Sequence, residues 1–186
     1  MGIARERTCE DSHVDLGPVD RITADAIGEP GMRTFYLQAR AGEQLVTVIV
    51  EKEQVELLAR SVLELATEVP IPDDVEPEEL SLEEPVDPRW RVGRLSIGFD
   101  DEEDRFLLEI DEFVPEVDDE DDQRSVLPEE PESITLWASR EQMLALARHG
   151  TTVVARGRPR CQFCGNPMDP EGHVCPATNG HRTPRT

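Results

Sequence analysis

The chain lacks several features that would assign it to a functional class. No apolar run approaches the roughly 20 residues that a membrane helix needs, so no transmembrane segment is predicted. The segment from Met1 to Leu16 carries scattered charges and lacks the apolar centre of a secretory signal, so we expect a cytoplasmic protein. No phosphate-binding loop, dinucleotide fingerprint, nucleophile elbow or zinc-protease motif is present. Because no recognisable set of catalytic residues is present, the sequence favours a protein that is not an enzyme.

Basic side chains are scarce and unevenly placed. The 186 residues include 41 acidic and 19 basic side chains, which gives a formal net charge of −22. Residues 73–132 hold 25 of the acidic side chains, whereas residues 133–186 have a net charge of +4. An acidic field repels nucleic acid and favours basic partners or cations, so direct nucleic-acid binding is not expected. The simpler interpretation is that the acidic runs are solvated loops.

Cysteine is also rare, but three of the four cysteines lie close together near the C-terminus. Cys161 and Cys164 have the Cys-x2-Cys spacing of a zinc knuckle, and Cys175 follows. Three thiolates and one imidazole complete a tetrahedral shell, so we predict one structural zinc ion per chain and no catalytic residue at this metal. The alternative is an unmetallated, disordered tail. Cys9 lies far from this cluster and is interpreted as a free thiol.

Two histidines compete for the fourth position in the zinc shell. His173 lies just before Cys175, inside a turn bounded by Gly172, and His181 lies beyond Cys175, towards the end of the chain. The Cys175-x5-His181 spacing lies near those of structural zinc sites, whereas His173-x-Cys175 is tighter but fits an extended turn. We prefer His173 because it lies within the compact ribbon, and His181 is kept as the alternative ligand.

The sequence also contains an internal repeat. Three pairs of segments match in the same order along the chain, and each pair has its own offset. The pairs are residues 47–54 with 135–142 at an offset of 88, residues 35–38 with 106–109 at 71, and residues 27–28 with 97–98 at 70. These matches predict two β-β-β-α halves that arose by duplication.

Apolar periodicity and turn residues place the elements of each half. We predict strands at 22–28, 33–40 and 44–50 with a helix at 52–67, then strands at 90–99, 105–114 and 133–138 with a helix at about 139–156. The expected fold class is α+β, with an antiparallel sheet, two helices packed on one face, and a small C-terminal zinc ribbon.

Composition shifts divide the chain into three regions. We expect a disordered N-terminal segment at 1–17, an α+β domain at 18–157 and a zinc-ribbon-like tail at 158–186. The domain comprises halves at about 18–69 and 89–157, joined by an acidic linker at 70–88. This linker and an acidic loop at 115–132 are expected to be the most mobile parts.

Two further hypotheses concern ligands. Residues 28–40 combine two glycines, a proline and Arg33, and such a turn can present backbone amides and a guanidinium to an anion. A phospho-ligand-binding protein or an enzyme could use this region, although a plain hairpin connection explains it equally well. The arginines that flank the ribbon suggest a transcription or translation accessory factor; they are Arg156, Arg158, Arg160 and Arg182.

The motif that begins Gly28-Glu29-Pro30-Gly31-x-Arg33 and the ending with Cys161-x2-Cys164-Gly165 and His173-x-Cys175-Pro176 resemble an actinobacterial family of uncharacterised proteins with a domain of unknown function. The resemblance extends over roughly residues 18–182. It implies a cytoplasmic location, no established activity, and genes beside those of a phosphatidylinositol-kinase-like and a histidine-phosphatase-like protein. Our leading hypothesis is therefore a non-enzymatic zinc-binding interaction or regulatory module with a kinase-like or phosphatase-like partner.

Overall fold

The chain folds into one short strand followed by two β-β-β-α runs. The computed structural model describes residues 12–66, 80–115, 131–157, 161–166, 168, 172–173 and 175–178. The strands are β1 (His13–Pro18), β2 (Arg21–Ile27), β3 (Thr34–Ala41), β4 (Gln44–Val50), β5 (Pro88–Asp100), β6 (Arg105–Glu112) and β7 (Ser133–Ser139). Helix α1 (Lys52–Leu65) follows β4, helix α2 (Arg140–Ala155) follows β7, and a 3-10 turn spans Pro176–Thr178. Neither helix offers the length and apolar character needed to cross a membrane.

The elements lie close to where the sequence places them, and the predicted α+β class is confirmed. Both helices and strands β2 to β7 begin and end at the predicted positions or very near them. The prediction is wrong for the first strand, because β1 begins at His13, inside the 1–17 segment that was expected to be disordered. The signal was a short polar–apolar alternation in which Leu16 is buried and His13 and Asp15 are exposed. Residues 1–11 lie outside the described part of the chain.

The strands form one mixed sheet in the order β1-β7-β6-β5-β4-β3-β2. The prediction of a wholly antiparallel sheet is wrong at two places, because β1 is parallel to β7 and β4 is parallel to β5. Helix α1 carries the chain back to the end of the sheet where β4 began, so β5 runs in the same direction as β4.

The two ends of this strand order meet. Only Val19 and Asp20 separate β1 from β2, although these strands stand at opposite ends of the order. The Val19 N–H donates to the Trp137 carbonyl in β7, and the Asp20 N–H donates to the Arg40 carbonyl in β3, both at 2.8 Å. These bonds extend the pairing of β1 with β7 and of β2 with β3, so the two edge strands of the sheet lie next to each other in the chain.

Strand β5 in the second half corresponds to β1 and β2 taken together in the first half. Both stretches of chain pair with one strand in their first part and with another strand in their second part. β5 runs beside β4 up to Arg91 and beside β6 from Val92 onward. It bends at Gly93, where a Cβ atom would lie 2.9 Å from the Phe113 Cα. In the same way, β1 pairs with β7 and β2 pairs with β3.

The strand pairings allow the two halves to be compared position by position. Asp15 lies opposite Thr135, and Pro88 lies opposite Thr47. Because Thr47 and Thr135 are equivalent positions of the two halves, Pro88 is equivalent to Asp15, and residues of β5 correspond to those of β1 and β2 at an offset of 73. The sequence match at an offset of 70 is therefore out of register with the strand pairing. A common origin of the two halves stays a prediction.

Each helix is tied to the sheet by a glutamine in its first turn. The Gln54 Oε1 accepts the N–H of the N-cap residue at 2.8 Å, and its Nε2 donates to the Val92 carbonyl at 3.3 Å. Gln142 makes the same two contacts at 2.7 and 3.0 Å, the second one to the Val19 carbonyl. Each glutamine therefore completes a helix N-terminus. Gln54 fixes α1 to β5, which runs parallel to β4, and Gln142 fixes α2 to the residue directly after β1, which runs parallel to β7.

Both helices pack on the apolar face of the sheet, as predicted. Of the apolar α1 positions chosen from the sequence, Val55 and Val62 are buried, but Leu65 is 45% exposed. The helices approach each other at Gly150, where a Cβ atom would lie 3.1 Å from a Val55 methyl carbon and 4.0 Å from the Ala24 Cβ. Glycine is used here because no side chain fits between α1 and α2 without displacing Val55.

The second part of the predicted mobile linker crosses the opposite, outer face of β2 and β3. We call residues 80–87 the strap. The Thr23 hydroxyl donates to the Leu80 carbonyl in the strap. The Gln38 Nε2 donates to the Glu83 carbonyl at 3.0 Å, and the Glu83 N–H donates back to the Gln38 Oε1 at 2.7 Å. These contacts fix the strap in place, so the expectation of mobility is wrong for this part of the linker; residues 67–79 and 116–130 lie outside the described chain.

Candidate metal centre

The first half of the centre is a tight turn that begins at Cys161. The Cys161 N–H donates to the Asn166 carbonyl, and the Gly165 N–H donates back to the Cys161 carbonyl, both at 2.8 Å. Gly165 has a φ of +74°, a conformation that residues with a Cβ rarely adopt, which explains a glycine directly after Cys164. The turn also directs the Phe163 N–H at the Cys161 Sγ, 3.4 Å away. The sulfur atoms of Cys161 and Cys164 lie within 4.8 Å of each other, on one side of the turn.

The second half brings His173 and Cys175 to the same point. The Cys161 and Cys175 sulfurs are 3.8 Å apart, and the Cys164 Sγ is 3.2 Å from the His173 Nε2. One ligand atom from each of the four residues lies within 4.8 Å of all the others. Gly172, with a φ of +90°, makes the turn that precedes His173. The structure thus brings together the four residues that the sequence analysis preferred.

These distances suit a tetrahedral metal ion and not a disulfide. Two thiolates bound to zinc at about 2.3 Å stand about 3.8 Å apart in a tetrahedral shell. A disulfide would need about 2.05 Å between the sulfurs, far less than the 3.8 Å between Cys161 and Cys175. Cys161 is buried, whereas Cys164, His173 and Cys175 are half-buried, so the site lies just below the surface. Soft thiolates with one imidazole favour zinc over magnesium or calcium.

Backbone N–H groups prepare the first thiol for metal binding. The N–H groups of Phe163 and Cys164 point at the Cys161 sulfur and hold the pKa of Cys161 below its ordinary value. At Cys164, the Asn166 N–H acts to lower the pKa, but burial and the neighbouring Cys175 and Cys161 sulfurs raise it overall. A metal ion bound here would stabilise the thiolate form of both cysteines.

The other residues proposed from the sequence lie elsewhere. His181 and Cys9 are outside the described residues. Arg33 lies against the last turn of α2, where its Nη1 donates to the Val153 carbonyl at 2.8 Å and its guanidinium lies 5.0 Å from the centre of the Phe35 ring. Its Nε is buried and has no hydrogen-bond partner among the described residues. Arg33 therefore satisfies a helix C-terminus, which is a structural task.

One polar pair was not found by sequence reasoning. The His149 Nε2 in α2 lies 3.5 Å from the Asp25 carboxylate in β2, and both side chains are largely covered. Burial alone would raise the pKa of Asp25, but the His149 ring, the Ala26 N–H and the charge of Arg156 together lower it. The two residues lie in opposite halves of the chain, so no local pattern links them.

Comparison with known proteins gives a family but no activity. No curated protein and no solved structure matches the chain. A family model matches residues 14–175, which include every described strand and helix except part of β1 and the final 3-10 turn, together with all four clustered ligand residues. The chain therefore belongs to a family of proteins of unknown function, DUF3090.

Proposed function

We propose that this protein is a non-enzymatic, zinc-binding interaction module in which one zinc ion fixes the C-terminal ribbon. The observation that carries the proposal is the convergence of Cys161, Cys164, His173 and Cys175 within 4.8 Å. Three thiolates and one imidazole are a donor set found in structural zinc sites. When bound, zinc would cross-link two short turns whose described residues contribute nothing to the hydrophobic core.

The donor set supports a structural role over a catalytic one. Structural zinc ions take four protein ligands, whereas catalytic ones keep a position for water or substrate. All four positions have a protein donor here, and among the described residues the nearest side chains along the chain, Gln162 and Phe163, are neither acids nor bases. The site therefore supports an architectural use of the metal.

An interaction role fits what the fixed turn presents. Phe163 stands between Cys161 and Cys164 and is 67% exposed. A large aromatic side chain held outward on a rigid turn is suited to insertion into a partner's pocket. The partner we propose is the kinase-like protein whose gene the family resemblance places nearby, with the phosphatase-like protein as the second choice; the cytoplasm is the proposed location.

The first test concerns the metal. Native mass spectrometry with metal analysis should find one zinc per chain in protein purified without chelator and in the Cys9→Ser control. Cys161→Ser and His173→Ala should lose it, while His181→Ala should retain it. Loss in His181→Ala with retention in His173→Ala would reverse the ligand assignment. Absence of metal from the wild type would contradict the proposal.

The second test concerns the partner. Co-purification with the kinase-like protein at low salt should succeed with the wild type and fail with Phe163→Ala, a variant that leaves all four ligands in place. Because zinc content is measured on the same sample, a loss of binding cannot be confused with a loss of metal. Zinc-loaded wild-type protein that recovers neither proposed partner would contradict the interaction role.

A further inference from the structure

The outer face of the second half matches, position by position, the face that the strap covers in the first half. In the first half, Thr23, Gln38 and Thr47 form a row across β2, β3 and β4. In the second half, Ser96, Glu109 and Thr135 form the same row across β5, β6 and β7. The two rows occupy equivalent positions, at the offsets of 73, 71 and 88 that relate the three strands of one half to those of the other.

The first row shows how such a face holds an extended chain. Thr23, Gln38 and Thr47 are 0, 1 and 2% exposed beneath the strap. The Gln38 amide both donates to and accepts from the Glu83 backbone, as a neighbouring strand would. Two arginines on the same face, Arg21 and Arg40, then hold the Glu83 carboxylate at 3.2 Å each. This face therefore binds the strap through both its backbone and the charge of a side chain.

The second row has no such cover within the described chain. Glu109 is exposed, and Ser96 and Thr135 are half-buried. No described residue forms a hydrogen bond with the side chain of Glu109 or Thr135. Beside this row, Leu107 and Trp137 pair across β6 and β7 and leave part of their apolar surface accessible. The face therefore offers an apolar floor next to a polar row in which the Ser96 hydroxyl accepts from the Arg94 Nε at 3.2 Å and the side chains of Glu109 and Thr135 have no hydrogen bond to a described residue.

The charge of the second face is the reverse of the first. Glu109 stands where Gln38 stands, and Asp111 stands where Arg40 stands, at the shared offset of 71. Asp15 extends the row on β1, opposite Thr135. Two arginines of β5 lie near this end: Arg94, opposite Asp111, donates to the Ser96 hydroxyl at 3.2 Å, and Arg91 is paired with Glu51. A carboxylate only accepts hydrogen bonds, so this face requires donors and positive charge from whatever covers it.

We propose that the outer face of β5, β6 and β7 is a docking site for an extended peptide segment of a partner protein that carries arginine or lysine where the strap carries Glu83. The proposal names the partner chemistry of the interaction module above and rests on that proposed function. Strands lie about 4.8 Å apart, so crossing from β5 to β1 takes about 14 Å, or four to five extended residues. Glu109 receives the central basic side chain, and Leu107 and Trp137 contact the apolar residue beside it.

The test uses fluorescence anisotropy at physiological salt with a labelled seven-residue peptide in which Arg and Val alternate. The wild type should bind this peptide and not its Glu–Val counterpart. Glu109→Lys should weaken binding at least tenfold. Glu56→Lys is the matched control, because it makes the same change of charge at an exposed position of α1; it should weaken binding less than twofold. Equal weakening by both variants would mean attraction by the general acidic field and would overturn the proposal.

Amide NMR shifts locate the peptide and separate the other occupants. Shifts on peptide addition should concentrate in β5, β6 and β7. Shifts confined to the acidic turn at 101–104 would overturn the proposal. A dimer that is detected by sedimentation and that Glu109→Lys dissociates would also overturn it, because a second copy of the chain would then cover the face. Movement of the Ser96 and Thr135 amide signals on deletion of residues 1–11 would overturn it too, because that segment would then cover the face. Zinc content measured on the same samples reports on the metal proposal independently.

Discussion

The strap provides the sharpest test of how this fold is held together. Gln38 makes three hydrogen bonds: its Nε2 donates to the Thr47 hydroxyl and to the Glu83 carbonyl, each at 3.0 Å, and its Oε1 accepts the Glu83 N–H at 2.7 Å. Gln38→Leu removes all three while nearly conserving side-chain volume. We expect it to release the strap and to lower the free energy of unfolding.

The expected size follows from those three bonds. A buried neutral hydrogen bond contributes about 1 kcal/mol net, so Gln38→Leu should cost about 3 kcal/mol. For a domain of this size, that loss lowers the melting temperature by about 6–12 °C. The ion pairs of Glu83 with Arg21 and Arg40 are partly exposed and add at most about 1 kcal/mol each to the strap.

Urea unfolding of zinc-loaded protein measures the change, and the second half supplies the control. Glu109→Leu alters the equivalent residue on the uncovered face and should change the unfolding free energy by less than about 0.5 kcal/mol. Hydrogen exchange at the Glu83 amide should accelerate in Gln38→Leu only. Equal unfolding free energies for Gln38→Leu and Glu109→Leu would refute the idea that Gln38 holds the strap.

Three further predictions concern the helices and the buried charges. Gly150→Ala should lower the unfolding free energy even though alanine gains about 1 kcal/mol of helix propensity, because overpacking costs about 1–3 kcal/mol; adding Val55→Ala should recover part of that overpacking cost, in a double-mutant cycle. Arg33→Met should destabilise by about 1–3 kcal/mol, since it keeps the apolar stem and removes a charged donor from the end of α2; an unchanged melting temperature would return Arg33 to the anion-binding hypothesis. The pKa of Asp25 is lowered on folding, so its stabilisation is present above its ordinary value of 3.8 and is lost as the pH falls through its folded pKa. Asp25→Asn should therefore destabilise at pH 7 and match the wild type in acid, and a difference independent of pH would exclude the pairing with His149.

Local patterns in the sequence were sufficient for both helices, for strands β2 to β7 and for the four clustered residues that could hold a metal ion. The repeat of apolar residues located α1 and α2, and Cys-x2-Cys with His-x-Cys located four residues that do come together. Both signals depend on neighbours in the chain. Where the sequence offered two choices for the fourth ligand, the described residues place His173 in the cluster and do not include His181.

Long-range features were not accessible in the same way. The linker was judged mobile from its proline and acid content, but Glu83 is held by Gln38 and by two arginines of β2 and β3, all of which lie far earlier in the chain. Nothing in the linker itself reports those partners. The parallel pairing of β1 with β7 was missed for the same reason, because so short a strand carries little signal until its partner is known.

The two-residue connection between β1 and β2 has a consequence for the order in which the protein folds during synthesis. His13 pairs with Ser133, 120 residues later, so the first of the described strands waits for the last of them. At about 5–20 residues per second, that interval lasts about 6–24 s. Strands β2, β3 and β4 can join locally in this time, while β1 still lacks β7, the strand it pairs with. The first described strand therefore joins the sheet only after β7 emerges, and its backbone groups stay unpaired until then.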